Sequence, residues 1–387
     1  MGSTFRTRGQ PTALAIVQRA IANERAPHAL LFSGPPRVGK STLALDLAAG
    51  LLCLARDPGS RPCRACTACR RVESGGHPDV HRLAPEGAGR QIRIGQVQEL
   101  ASELALLPLE GRCRVAIVEH AQRLNDDAQN ALLKTLEEPP AGVTIMLCAD
   151  EPAGLLPTVV SRCARIRLGP VAPAVVAGII VERAAVDRLR AEALGRVSGG
   201  MVGVALDLAA QPELLLARDR IARTLLDLVG ADRRARLAAA AGLLADGVEM
   251  TAVAPPADGP PTSDAADPSE AAATPVDLPS RGGRSAKTSP AERRAAVSQV
   301  LAVWRDLARD AALAARGARA EIRQHELLEE IADIAARTDA ALLARFTERL
   351  DVASRALDAY ANPELLLDVL LLVWPSAQAP SAGKNAA

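Results

Sequence analysis

The first 170 residues alternate short apolar runs with amphipathic stretches. HALLFSG at 28–34, CRVAIVEH at 113–120 and VTIMLCAD at 143–150 are rich in aliphatic side chains and closed by turn or polar residues, which predicts buried strands. Between them, helical periodicity predicts helices over 40–54, 94–106 and 126–138. The last starts at an Asn125 cap and is stopped by Pro139-Pro140. On it Ala128, Leu132 and Leu136 recur every fourth residue, predicting one buried face. Strands alternating with helices predict an α/β fold with a mostly parallel sheet covered on both faces.

Beyond Pro170 no strand pattern survives. LRAEALGRVSGGMVGVALDLAA predicts two short helices broken at Gly199-Gly200, and residues 169–212 are expected to form a small helical domain. Helical periodicity returns over 213–250 and 291–376, ending in the strongly apolar NPELLLDVLLLVW. Residues 251–290 are dense in Pro, Ala, Ser, Gly and Asp. They lack the apolar content to offset the entropy of ordering, which predicts a disordered insertion; the tail 377–387 is expected to fray. No period of a solenoid repeat is present.

Length and composition narrow the picture. A chain of 387 residues with 49% apolar and 24% charged residues is expected to hold two or three globular domains. Aromatics make up only 2%, so the core is expected to be aliphatic and an aromatic base-stacking surface for single strands is not expected. A net charge of +1 excludes a uniformly basic nucleic-acid coat. No charge-free apolar run is long enough for a membrane span, and the first residues show no secretory pattern, so a cytoplasmic protein with no membrane contact is expected.

The first chemical signal follows the first strand. Gly34, Pro35, Pro36, Arg37, Val38, Gly39, Lys40 and Ser41, followed by Thr42, fit G-x4-G-K-[ST]. Composition alone expects on the order of 0.002 such matches. The glycines permit an arch of inward-facing N–H groups, and a helix beginning at Lys40 turns its positive end toward phosphate. Lys40 would neutralise the β/γ-phosphates of ATP, and the Ser41 hydroxyl would ligate Mg²⁺.

Hydrolysis needs more than a cradle: an acid near Mg²⁺ and a group that orients or deprotonates water. The second strand ends in Glu119-His120. Glu119 could support the metal, whereas His120 lacks the fixed charge of a catalytic carboxylate and is expected to be a surface or interdomain residue. Asp150, at the end of the third strand, either positions water or caps the next turn.

Four of the seven cysteines, Cys53, Cys63, Cys66 and Cys69, fall within 17 residues. In a reducing compartment such clustering argues for metal over disulfides. Two residues between ligands let a knuckle direct both sulfurs at one ion, and the four thiolates predict a closed, structural zinc site over 53–69. Free thiols and an iron–sulfur cluster are the alternatives. Arg61, Arg64, Arg70 and Arg71 would offset its charge, contact a neighbour or touch DNA. Cys113, Cys148 and Cys163 are expected to fill strand or core positions.

HALLFSGPPRVGKSTLA, GGHPDV, CRVAIVEHAQRLNDDAQNALLKTLEEPP and LLPTVVSRC, in this order, resemble the bacterial clamp-loader family of AAA+ proteins over about residues 10–210. The resemblance implies an AAA+ phosphate-loop domain (1–168), a small helical lid domain (169–212), and a C-terminal all-helical collar domain (213–250 plus 291–376). It implies a non-motor subunit of the replicative DNA polymerase holoenzyme. Such a subunit assembles with gamma/tau and delta subunits into a hetero-pentamer that places the sliding clamp on primed DNA. The Arg of the S-R-C motif, here Arg162, would reach a neighbour's ATP, where a planar guanidinium stabilises charge on the γ-phosphate. Active subunits carry an Arg near the start of the last lid helix, where this chain has Val204. With His120, that leaves two catalytic groups missing beside one intact cradle, and implies weak or absent turnover. The rival readings are an active gamma/tau-type ATPase subunit and a stand-alone AAA+ DNA-repair ATPase. The family suggests that Lys134 meets DNA phosphate; the alternative is an intrahelical pair with Glu138.

Overall fold

The computed structural model describes residues 4–85, 91–253 and 288–375, and the chain divides after Ala210 into two compact units. The N-terminal unit holds five strands: β1 (Ala29–Ser33), β2 (Val80–Leu83), β3 (Arg114–Val118), β4 (Val143–Ala149) and β5 (Ala164–Arg167). They form one parallel sheet in the order β2-β3-β4-β1-β5. Its helices are α1 (Pro11–Ala22), α2 (Lys40–Leu51), α3 (Thr67–Glu73), α4 (Ile94–Leu104), α5 (Asp126–Glu137), α6 (Pro157–Ser161), α7 (Pro173–Ala184), α8 (Arg188–Val197) and α9 (Val202–Ala210).

The continuous apolar runs have a direct cause. In β1 and β4, alternate side chains enter two different cores, so neither face of the strand is left to water. Leu30, Phe32, Met146 and Cys148 pack with Leu43 and Leu47 of α2 on one side. Leu31, Ile145, Leu147 and Ala149 pack with Leu100 of α4 and Leu132 and Leu136 of α5 on the other. Asn125 caps α5 by accepting from the Ala128 N–H at 2.9 Å, and Ala128, Leu132 and Leu136 are buried as expected. This is the expected α/β fold, a parallel sheet covered on both faces.

Several expectations need correction. The three sequence-predicted helices end at Leu51, Leu104 and Glu137, short of 54, 106 and 138. At the first of these, Leu52 and Cys53 leave the helix to bring a thiol into the cysteine cluster. Strands β2 and β5 have no counterpart in the apolar pattern: they are four residues each and edge the sheet, and β5 buries only Ile166. The stretch 189–210 does hold two helices, α8 and α9, broken at Gly199-Gly200 as expected, and α7 precedes them without a counterpart in that reading.

The C-terminal unit is all-helical: α10 (Pro212–Asp227), α11 (Arg233–Val253), α12 (Pro290–Ala315), α13 (Leu328–Arg337), α14 (Ala340–Asp358) and α15 (Pro363–Val373). Residues 251–253 complete α11, and Pro290 opens α12 behind a Ser289–Glu292 capping box, so both edges of the expected disordered insertion are helical. The rest of that insertion, 254–287, and the expected frayed tail lie outside the described residues. The purely aliphatic core also fails here. Trp304, Phe346 and Trp374, half of the chain's six aromatic residues, form a buried triad with centroids 4.7–5.4 Å apart. The Trp374 indole N–H donates to the Leu225 carbonyl at 3.0 Å, giving its polar edge the partner that burial demands. Among the described residues no helix is long and apolar enough to cross a membrane.

Candidate nucleotide and metal sites

The loop Gly34–Gly39 joins the end of β1 to α2. Gly34 sits at φ +148°, where a Cβ would lie 2.2 Å from the Leu168 carbonyl oxygen, so only glycine fits. Gly39 takes φ +109° as the N-cap of α2, and no side chain caps the helix. The first N–H groups of a twelve-residue helix are thus left facing the loop, the arrangement that receives phosphate. Lys40 is buried, and its ammonium donates to the carbonyls of Gly34 (2.9 Å) and Pro35 (2.8 Å) and to Asp150 Oδ1 (2.7 Å). Glycine arch, uncapped helix start and inward lysine fit the triphosphate of ATP, with Ser41 and Thr42 opening the helix for Mg²⁺. A bound phosphate would replace the partners that Lys40 now holds.

Around this cradle the acids already hold partners. Glu119 is buried, and its Oε1 accepts from Arg82 Nε at 2.9 Å and from the same guanidinium's terminal nitrogen. His120 is in the left-handed region at φ +49°, with Nδ1 3.9 Å from Asp150 Oδ2. Asp150 does not cap the following turn: beside its bond to Lys40, its Oδ2 accepts from Gln122 Nε2 at 2.8 Å. Gln122 is a member of the site that sequence reasoning missed, since nothing in its local pattern marks it.

Helix α9 touches the loop through Arg37. The Gly203 N–H at the start of α9 donates to the Arg37 carbonyl at 2.9 Å, and the Arg37 guanidinium pairs with Asp207 one turn further on. Val204 lies in the first turn of the same helix.

The four cysteine sulfurs lie within 4.8 Å of one another. A tetrahedral Zn–S₄ centre needs sulfurs about 3.8 Å apart, so the four thiols fit zinc with little adjustment. Backbone N–H groups support them: Cys63 donates to Cys53 Sγ, Cys66 to Cys63 Sγ and Cys69 to Cys66 Sγ, each at 3.4 Å. Burial pushes the Cys63 thiol up, but the N–H groups of Ala65 and Cys66 and the thiols of Cys53 and Cys66 outweigh it and bring it down to about 6. That favours the thiolate a metal requires at Cys63, whereas burial pushes the Cys53 and Cys69 thiols up. Burial pushes Cys113 and Cys163 up to about 11, as suits core filling; Cys148 is buried in β4.

Of the arginines around the cluster, Arg64 pairs with the fully buried Asp46 of α2 and, at 2.9 Å, with Glu73 of α3. Asp46 also accepts from the backbone N–H groups of Arg6 (3.1 Å) and Thr7 (2.8 Å). A lone acid inside the apolar run LALDLAAGLL was the available signal for this buried charge. Arg61 pairs with Glu24 at 2.5 Å, and Arg71 with Glu110 at 2.5 Å. Arg70 donates to the Ala65 carbonyl at 2.7 and 3.0 Å.

Arg162 ends α6, where its guanidinium donates to the Thr158 carbonyl at 2.9 Å and pairs with Glu137 at 2.5 Å; both side chains are partly exposed. Lys134 is exposed, and among the described residues it forms no pair with Glu138.

Residues 9–172 match the family described as DNA polymerase III, delta subunit. The chain is 36% identical over 174 residues to DNA polymerase III subunit delta′ of Bacillus subtilis, covering 45% of this chain and 52% of that one. It is 41% identical to the subunit delta′ of Pseudomonas aeruginosa, covering 35% and 41% of the two chains. To DNA polymerase III subunit tau of Salmonella typhimurium it is 35% identical, covering 41% and 24%. It thus spans about half or less of the length of the curated relatives it matches. The motifs that carry the resemblance, from His28 to Cys163, all lie within residues 9–172.

Proposed function

We propose that this chain, whose residues 9–172 are related to the delta′ subunits of bacterial DNA polymerase III, is a delta′-type clamp-loader subunit. It assembles with gamma/tau and delta subunits and helps load the sliding clamp on primed DNA. It binds ATP at the loop 34–42, hydrolyses it poorly, and lends Arg162 to ATP held by a neighbour. A single zinc ion held by Cys53, Cys63, Cys66 and Cys69 folds the segment 53–69, which has little core of its own.

The observation that carries this reading is the state of the acids beside an intact cradle. Hydrolysis requires a carboxylate at the end of the second core strand that supports Mg²⁺ or water. Here Glu119 accepts twice from Arg82, and the next residue is His120 rather than an acid. Arg162 stands at a helix end with a partly exposed ion pair and one bond to the Thr158 carbonyl to give up, and such exposed pairs are worth about 0–1 kcal/mol. Moving that guanidinium to a triphosphate is therefore inexpensive. Supplying it in trans makes hydrolysis depend on assembly.

The complete loop with its inward Lys40 favours a second reading, an active gamma/tau-type ATPase. Steady-state ATP turnover separates the two. The first expects little turnover by the chain alone and a gain with a gamma/tau partner that Arg162→Ala removes. Brisk turnover by the chain alone, insensitive to Arg162→Ala, would establish the second.

A further inference from the structure

The contact between phosphate loop and lid has the reverse polarity of the one the resemblance implies. An active lid would present an Arg to the nucleotide; here α9 carries Val204 in its first turn and presents an acid, Asp207, to an arginine on the loop. The loop is shaped for this contact. Arg37 is one of the few non-glycine residues at positive φ, +63°, a conformation that costs on the order of 1 kcal/mol unless its surroundings hold it. That backbone carbonyl takes the Gly203 N–H at 2.9 Å, while the side chain returns along α9 to the Asp207 carboxylate, with the Gly203 carbonyl 3.4 Å from the same guanidinium. Both charged side chains are about 22% exposed, so the pair is shielded from most solvent screening. The helix lies so close that a Cβ on Gly203 would stand 3.0 Å from the Arg37 carbonyl oxygen and 3.1 Å from Arg37 Nε.

We propose that Arg37, Asp207 and Gly203 form a clamp that holds the lid helix α9 against the phosphate loop independently of nucleotide. Arg37 and Asp207 are positioning residues in this proposal. The clamp stiffens the arch that would receive phosphate, because one of the loop's own residues is anchored from outside the loop. It also prevents bound nucleotide from driving the lid: opening requires breaking the ion pair and the Gly203–Arg37 bond together, and phosphate bound at Lys40 supplies no differential contact to Asp207. The clamp slows exchange of whatever nucleotide the loop takes. That last consequence rests on the nucleotide-binding reading, whereas the clamp itself does not.

The test is hydrogen exchange of α9 amides in the full chain, without nucleotide and with Mg-ATP, read for wild type, Arg37→Ala, Asp207→Ala and the exchanged pair Arg37→Asp/Asp207→Arg. Each single variant is expected to speed exchange at the start of α9 by roughly fivefold without nucleotide. The exchanged pair is expected to restore it, which a merely structural loss would not do, and Mg-ATP should leave wild-type α9 unchanged. Release of a fluorescent ATP analogue should accelerate by a similar factor in the single variants. Should those variants fold poorly, Gly203→Ala, which wedges the helix off the loop while keeping both charges, is expected to give the same faster exchange. Unaltered α9 exchange in the single variants, or a large Mg-ATP effect on wild-type α9, overturns the clamp. Absence of Mg-ATP binding by wild type overturns the nucleotide reading instead, and the nucleotide-free arm still decides the clamp.

Discussion

Lys40 and Asp150 meet across 2.7 Å, and the lysine that would neutralise phosphate is thereby neutralised by the protein itself. Nucleotide must compete with that carboxylate. Asp150→Asn keeps the bulk and the bond to Gln122 while removing the competing charge. It is expected to tighten Mg-ATP binding by about threefold to tenfold in an equilibrium titration. Weaker binding would show that Asp150 holds Lys40 in its working position instead.

Asp79 carries a heavily bonded carboxylate outside that site. It is buried and accepts from the N–H groups of Leu109 (2.6 Å), Glu110 (2.9 Å) and Gly111 (2.6 Å). Burial opposes its charge, but the three N–H groups prevail and hold the carboxyl below its ordinary value of 3.8. A depressed acid stabilises the fold above its unfolded pKa, and that contribution is lost as pH falls through the folded one. Asp79→Asn should therefore cost about 2 kcal/mol at neutral pH and flatten the loss of stability below about pH 4, read in denaturant melts across pH.

Metal analysis of the purified chain is expected to return about one zinc ion per chain. Its removal by a chelator should release the Arg64–Asp46 pair from the knuckle and lower the melting temperature by several degrees. Cys69→Ser should do both at once. A fully folded, metal-free protein with unchanged melting would exclude the structural-zinc reading.

In the C-terminal unit, Phe346 is 2% exposed and stacks 4.7 Å from Trp374 and 5.2 Å from Trp304. Phe346→Ala is expected to destabilise that unit by about 3–5 kcal/mol in a guanidinium titration. A change below about 1 kcal/mol would mean that the triad repacks around the missing ring.

What could be read from the chain beforehand follows from how local each determinant is. The three central strands are buried on both faces, so their residues are uniformly apolar and stand out. Val80–Leu83 and Ala164–Arg167 pair on one side only and carry polar residues, so only tertiary pairing makes them strands. The phosphate loop and the cysteine knuckles were legible because backbone geometry and metal coordination fix short spacings. The pairs Arg37–Asp207 and Lys40–Asp150 join residues 170 and 110 positions apart, and no local pattern announces them. His77-Pro78-Asp79 was visible as a motif, yet its work became clear only with the loop 109–111 folded onto Asp79.

The aromatic triad has a practical corollary. Trp304 and Trp374 are the chain's two tryptophans, and both lie in the helical unit beyond Ala210. Intrinsic indole emission therefore reports on that unit while the phosphate-loop unit stays optically silent. A tryptophan introduced near Arg37 would light the second half, so the two units could be melted, mixed and watched separately in one cuvette.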